Sequence, residues 1–273
     1  MDAAAALDRL RDQLDREALA LPLLPGVAAE VIASSVDEHG DAARLAELIR
    51  QDQSLASHVL RIVNSPAFRG ASEIVALQQA IARLGMARVR EIALSASLKG
   101  ALLTEGPYQR HADEAWRLSL AGALWSREVA RSARRNVEIA YLCGLLHDVG
   151  APLLLHQLGE VAPDLDDSGV ALVLASLGRP AGVRLASAWS LPEAVVATVA
   201  YLEEPDAAGA HASSVLVAAA GVALARLGTA GDIDPPAVFE LPWLVRLNLY
   251  PEDIEALVSR QQAIRDVLDA MVV

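Results

Sequence analysis

Near the middle of the chain, Tyr141-Leu142-Cys143-Gly144-Leu145-Leu146-His147-Asp148-Val149-Gly150 sets an imidazole and a carboxylate side by side after an apolar run. That run predicts a helix from about Val137 to His147. A helix C-terminus carries partial negative charge, which suits His147 and disfavours Asp148. The acid therefore needs a reason beyond local propensity, and a metal ion bound by both side chains is one. A divalent ion that activates water needs about three or more protein ligands and an open position. Two adjacent residues do not supply them.

The other histidines, His39, His58, His111, His156 and His211, lie on unrelated segments, and Pro152 separates His156 from the pair. Glu203 is a conceivable helper, but Glu204 and Pro205 beside it predict an exposed loop. The structural alternative is that His147 and Asp148 hydrogen-bond each other's neighbours or the backbone, since buried polar groups must be paired. Cys143 reads as a small core residue; as a nucleophile its only local base would be His147, four residues on. There is no phosphate loop, no Gly-x-Gly-x-x-Gly and no Gly-x-Ser-x-Gly elbow. Ser65 and Ser119 lack the flanking residues of a nucleophile, and Trp116, Trp125, Trp189 and Trp243 read as core or interface anchors.

The elements that position the pair are predicted to be helices throughout. Of the 273 residues 53% are apolar and only 4% aromatic, so the core is built from Ala, Leu and Val. That mixture favours an all-α protein over a sheet. The single cysteine excludes an intramolecular disulfide and fits a reducing compartment. Asp2, Asp8 and Asp15 stand where a signal segment would be basic, and the apolar run at Val215 to Ala225 stops at Arg226, too short for a bilayer. A cytoplasmic protein without a membrane segment is expected. The net charge of −12, with Lys99 the only lysine, argues against nucleic-acid binding. Arg127, Arg131, Arg134 and Arg135 read as a solvated helix face, with a patch for an acidic partner as the alternative.

Along the chain, residues 3 to 20 form an amphipathic helix with Leu7, Leu10, Leu14 and Ala18 on one face. Helices follow from Gly26 to Val36, from a cap at Asp41, and from Gln53 to Val63 with Asp52 as N-cap. His39 and Gly40 separate the first two of these. Ile74 to Leu84 ends at Gly85, a good helix stop, and Met86 to Lys99 follows at once. Leu102 to His111 is the internal linker, and a long helix starts at Asp113 or Glu114. Val170 to Leu177 and Ala181 to Trp189 are predicted as two short helices around Pro180. His211 to Arg226 is another, followed by a connection from Gly228 to Pro236 and a terminal helix from Pro251 to Met271.

Two regions carry a resemblance. The first comprises Leu21-Pro22-Leu23-Leu24-Pro25, Leu45 to Leu55, Val59-Leu60-Arg61-Ile62-Val63-Asn64-Ser65 and Leu77 to Gly85. The second comprises Trp116-Arg117-Leu118-Ser119, Gly144 to Gly150 and Trp189-Ser190-Leu191-Pro192. In this order they resemble an HDOD domain, a relative of the HD phosphohydrolase superfamily. Metal-binding relatives draw histidines and aspartates from several helices. Where their first histidine stands this chain has Leu118, and a later one falls near Gly178 and Arg179. Leu202 and Glu203 replace a histidine pair, Gly221 replaces the closing aspartate, and Ala151 replaces a lysine. Only His147 and Asp148 remain, so the resemblance implies a vestigial pair with no catalytic residue, metal or cofactor.

The organisation expected is an N-terminal helix at 1–20, an HDOD domain at 21–226 and a C-terminal helical extension at 227–273. Within the domain, an N-terminal helical bundle (21–105) packs on an HD-like helical bundle (113–226). The leading expectation is a non-enzymatic bacterial signal-transduction module, binding a protein partner or small regulator, with the resemblance implying a link to cyclic-di-nucleotide signalling. One alternative is a metal-dependent phosphohydrolase acting on a nucleotide. Another is a sensor of phosphate-bearing ligands through Arg83, Arg88 or Arg179. The helices at 3 to 20 and 251 to 271 either dock on the core or project to form a homodimer.

Overall fold

A computed structural model of the chain describes residues 2–36, 42–68, 70, 72–103 and 105–272. The expectations for His39, Gly40 and Asp41 lie outside the described residues. Every regular element among the described residues is helical. Asp2, Asp52, Asn136 and Asp166 each accept the backbone N–H three residues on, at 2.8–3.0 Å. Each such cap satisfies an orphan donor and contributes about 1 kcal/mol.

Helix α1 (Ala3–Asp15) is shorter than its pattern predicts. Glu17 adopts a φ of 57° and Ala18 N–H turns back to the Gln13 carbonyl, which closes the helix. Helices α2 (Gly26–Val36), α3 (Ala42–Gln51), α4 (Gln53–Val63), α5 (Leu77–Leu84) and α6 (Met86–Leu102) pack among themselves. Asn64 pins the loop after α4: its Nδ2 donates to the carbonyls of Leu60 and Ile74, and its Oδ1 accepts from Ile74 N–H at 2.8 Å. Gly85, at a φ of 81°, turns α5 directly into α6.

The next group is α7 (Gln109–Ser132), α8 (Val137–Leu146), α9 (Gly150–Val161), α10 (Asp167–Ala188), α11 (Glu193–Tyr201), a 3-10 segment Pro205–His211 and α12 (Ala212–Ala230). Helix α7 begins at Gln109, earlier than expected, because Ala112 N–H already bonds to the Tyr108 carbonyl. The two helices expected around Pro180 are one. Pro180 faces solvent, where a carbonyl left without a donor can turn to water. On the inner side, Gly178 and Gly182 hold α10 against the backbone of Gly150.

Four helices close the chain: α13 (Pro235–Phe239), α14 (Pro242–Arg246), α15 (Pro251–Val258) and α16 (Gln261–Val272). The expected terminal helix is thus two, divided where Ser259 bonds back to the Ala256 carbonyl and Arg260 reaches inward. Both chain ends dock. Helix α1 packs on α9 and α10, with Glu17 paired to Arg184 at 2.5 Å. Helix α16 packs on α6 and α7, where Lys99 Nζ donates to the Val272 carbonyl (2.6 Å) and Arg117 meets Asp269 (2.7 Å).

Val137–Val161, Asp167–Ala188 and Pro205–Ala230 are each long and apolar enough to cross a membrane by length and composition. The expectation that no apolar segment reaches spanning length is therefore corrected: helix continues well beyond Val215 to Ala225. In this fold 78, 50 and 56% of their most apolar windows are buried, so the apolar faces are used largely on one another.

Candidate functional site

The His-Asp pair is placed by small residues. Helices α7, α8 and α12 cross so closely that a Cβ on Gly144 would lie 2.5 Å from the Gly122 carbonyl oxygen, and one on Gly221 would lie 2.2 Å from Ser126 Oγ. His147, one turn beyond Gly144, comes to rest beside Gly122, whose Cβ would stand 3.6 Å from the imidazole Cε1. The ring is buried. Its Nδ1 lies 2.8 Å from the Gly144 carbonyl, and since a carbonyl only accepts, Nδ1 carries the proton and Nε2 keeps its lone pair. Burial pushes the imidazole down to about 4, and the positive charge of Arg226 adds to the depression.

Asp148 points elsewhere. Its Oδ1 is 3.9 Å from the position a Cβ would take on Gly178, so the carboxylate faces α10 while the imidazole lies against α7. Burial pushes its carboxyl up to about 6, opposed by Arg226. Among the described residues none donates a hydrogen bond to this carboxylate. The expectation that each side chain bonds a neighbouring group or the backbone is met at His147 and not at Asp148. The backbone also differs from the expected helix end: α8 stops at Leu146 and α9 starts at Gly150, so Asp148 stands just before a positive helix N-terminus.

The surroundings bear on whether a metal fits. Leu118 is half-buried one turn before Gly122, Leu202 packs on the core and Ala151 is buried. Arg179 is exposed. Gly221 backs directly onto Ser126, leaving no room for any side chain. Arg226, further along α12, is the group whose charge reaches both His147 and Asp148; its guanidinium lies 3.4 Å from Glu203, and both are exposed. Among the described residues no group of three or more His, Cys, Asp or Glu side chains is placed to hold a metal ion. One imidazole nitrogen and one divergent carboxylate, in the field of a guanidinium, do not fit a water-activating divalent ion.

The other candidates are dispersed. Cys143 is buried, its thiol pushed up to about 12 by burial, and it donates weakly to the Ala194 carbonyl at 3.5 Å. His58 meets Arg61, His111 meets Asp167, and His211 meets Glu193, on different elements. Arg83 is bonded to Ser72, Arg88 to Glu91, and Arg179 lies on α10, so the three arginines offered as a phosphate sensor share no site.

A charged cluster escaped the sequence reading. Arg127 is not on a solvated face: its side chain is 4% exposed, with Nη1 2.7 Å from Glu91 and Nε 3.0 Å from Glu128. Arg131 and Arg260 also reach Glu128, at 2.6 and 2.7 Å, and Arg88 reaches Glu91 at 2.9 Å. Burial pushes the Glu91 carboxyl up to about 7, against the pull of Arg88 and Arg131. The sequence signal was Arg127-Glu128 flanked by Trp125 and Val129, two charges on an otherwise apolar stretch.

The HDOD domain family model matches residues 21–205. The chain belongs to the HDOD domain family. The matched region ends before α12, so the HDOD match contains His147 and Asp148 but not Arg226 or the four closing helices. A curated relative, an uncharacterized protein of Treponema pallidum (strain Nichols), is 25% identical over 211 residues; the alignment covers 73% of this chain and 39% of that protein. The chain thus spans about two fifths of the length of that relative. A crystal structure of an HDOD domain protein of unknown function from Geobacter sulfurreducens matches with a TM-score of 0.74 at 21% identity, covering 99% of this chain and 98% of that one. A provisionally named phosphohydrolase from Shewanella amazonensis SB2B matches at 0.69 and 22% identity, over 98 and 97% of the two chains. These likenesses show the same all-helical fold over nearly the whole of the chain.

Proposed function

We propose that this HDOD chain is a regulatory module of bacterial signal transduction that works by binding a protein partner and not by hydrolysing phosphoesters. The observation that carries the reading is the divergence of the pair: His147 is tied to the Gly144 carbonyl against α7, and Asp148 faces Gly178 on α10. A water-activating centre would need both on one ion, with further ligands from α7 and α12. At those places stand Leu118 and the side-chain-free crossing at Gly221. Large apolar side chains left exposed, Leu23 on one segment and Val245 and Tyr250 on another, favour contact with protein. A structural neighbour from Marinobacter aquaeolei VT8, provisionally named a signal transduction protein, has the same fold at a TM-score of 0.65 and 22% identity, over 98% of this chain and 66% of that one. In this reading the chain acts in the cytoplasm, without a cofactor.

The test is elemental analysis of the purified chain together with a phosphodiesterase and nucleotidase screen in added Mn, Fe, Mg and Zn. The expected result is no stoichiometric metal and no turnover that depends on His147. One tightly held metal per chain, with an activity lost in His147→Ala, would establish the hydrolase alternative instead.

A further inference from the structure

Three arginines surround a cleft that borders the His-Asp pair, sharing Leu118 and Arg226 with its surroundings, and that is closed by a helix beyond the HDOD match. It lies between α7, α12 and α16, has a volume of about 590 Å³, and is floored by Leu118, Trp125, Ile264 and Leu268. Arg117, Arg226 and Arg265 stand on its rim beside two carboxylates, Asp269 and Glu114, the latter paired with Arg110. The volume falls in the range of small-molecule sites. We propose that this cleft binds a small organic anion with an apolar body, and that the bound anion fastens the C-terminal extension to the HD-like helices.

The charge argument is local. The chain is strongly acidic, so nothing in its overall field gathers anions, and an anion site has to be built from adjacent guanidinium groups. Of the rim cations, Arg117 is paired with Asp269, Arg226 with Glu203 and Arg265 with Asp232. Those carboxylates are 63, 60 and 90% exposed, so the pairs are weak and a better-placed anion can displace them. Arg226 is the least committed, with both contacts to Glu203 at 3.4 and 3.5 Å. Arg265 is the most firmly oriented, since it also donates to the carbonyls of Gly228 and Gly231. The planar forks can each take two oxygens of a carboxylate, sulfonate or phosphate.

The floor decides the other half of the ligand. Leu118 comes from α7, and Ile264 and Leu268 come from α16, so an apolar body seated there touches both the core and the extension. Anchoring is therefore linked to binding: a ligand that meets both sides stabilises their docked arrangement by mass action. The site stands apart from the partner proposed above. It survives the loss of that reading, and the reading survives the loss of this site.

The probe is 8-anilinonaphthalene-1-sulfonate, an aromatic body with one sulfonate, titrated by fluorescence into the full chain. One saturable site is expected, with affinity reduced about tenfold in Arg226→Gln, the loss of one charge-assisted hydrogen bond. Arg117→Gln should weaken it in the same direction. Arg184→Gln, at the distant contact with Glu17, should leave it unchanged. The uncharged analogue N-phenyl-1-naphthylamine should bind wild type and Arg226→Gln alike, which separates lost charge from lost fold. Displacement of the dye by a nucleoside monophosphate assigns the anion to a nucleotide, and displacement by decanoate assigns it to a fatty acid. Equal dye affinity in wild type, Arg226→Gln and Arg117→Gln, or failure of every anion to displace it, overturns the proposal.

Discussion

Asp148→Asn should make this protein more stable at neutral pH, and the gain should vanish in acid. Burial raises the Asp148 carboxyl from its ordinary 3.8 to about 6, and no described side chain donates a hydrogen bond to compensate. The displacement is about two pH units, and at about 1.4 kcal/mol per unit the ionised carboxylate costs the fold roughly 3 kcal/mol above pH 6. The sign follows from proton counts. Between pH 3.8 and about 6 the folded state holds the proton that the unfolded state has lost, so stability falls as pH rises through this window. Asparagine has the same shape and no charge, but still needs partners, so about 1–2 kcal/mol of that cost should be recovered. His147 works the other way: its folded value is depressed from 6.5 to about 4, so its contribution is present above 6.5 and is lost as pH falls. In the wild type the two slopes oppose each other between about pH 4 and 6. Glu91, raised from 4.5 to about 7, adds a falling slope to both proteins, so the difference between the two curves isolates Asp148: the advantage of Asp148→Asn should be near zero at about pH 4 and grow to its full size above about pH 6. Urea unfolding followed by tryptophan fluorescence, at several pH values from about 4 to 8, measures both curves. A loss of stability at pH 8 would refute the reasoning, because the carboxylate would then have a favourable cation, a bound metal included.

Three other outcomes follow from the packing. Gly150→Ala places a Cβ 2.0 Å from the Gly178 carbonyl oxygen, so α9 and α10 must separate; a loss above about 3 kcal/mol is expected in denaturant unfolding. Arg127→Met leaves Glu91 and Glu128 short of a buried cation and should cost about 3–5 kcal/mol. The double variant Arg127→Met/Glu91→Leu should recover a good part of that loss, and a double no better than the single would mean the cluster is not coupled. Cys143, buried with its thiol pushed up to about 12, should resist iodoacetamide in the native protein and react once urea unfolds it.

The all-helical architecture was legible because apolar periodicity is a local signal, and so were the cap at Asp52 and the turn at Gly85. Pro180 misled because its local effect is to break a helix, whereas the contact of Gly178 and Gly182 with Gly150 is made by a residue about thirty positions away. Arg127 misled for the same reason: four arginines in nine residues read as a solvated face until Glu91, from another helix, is brought against them. At the His-Asp pair the sequence identified the residues but not their directions. Adjacent residues at a helix end point different ways, and only the placement of α7 and α10 turns that divergence into two separate environments. Arg226 was read as the residue that ends an apolar run, and its reach to both members of the pair depends on how α12 crosses α7.

That crossing also bears on what the motif itself is for. Gly144 is required because its α-carbon faces the Gly122 carbonyl, and Gly150 because it faces the Gly178 carbonyl. His147 fills the space beside Gly122 and bonds to the Gly144 carbonyl. Most of the stretch that resembles a metal-binding signature is thus accounted for by helix packing, whether or not any ion ever binds. Asp148 is the exception, half-buried and without a hydrogen-bond donor among the described residues. It is the one residue of the motif for which packing supplies no reason. Its charge is therefore what separates a scaffold from a metal site: in a scaffold its removal relieves the fold, and in a metal site its removal takes away a ligand.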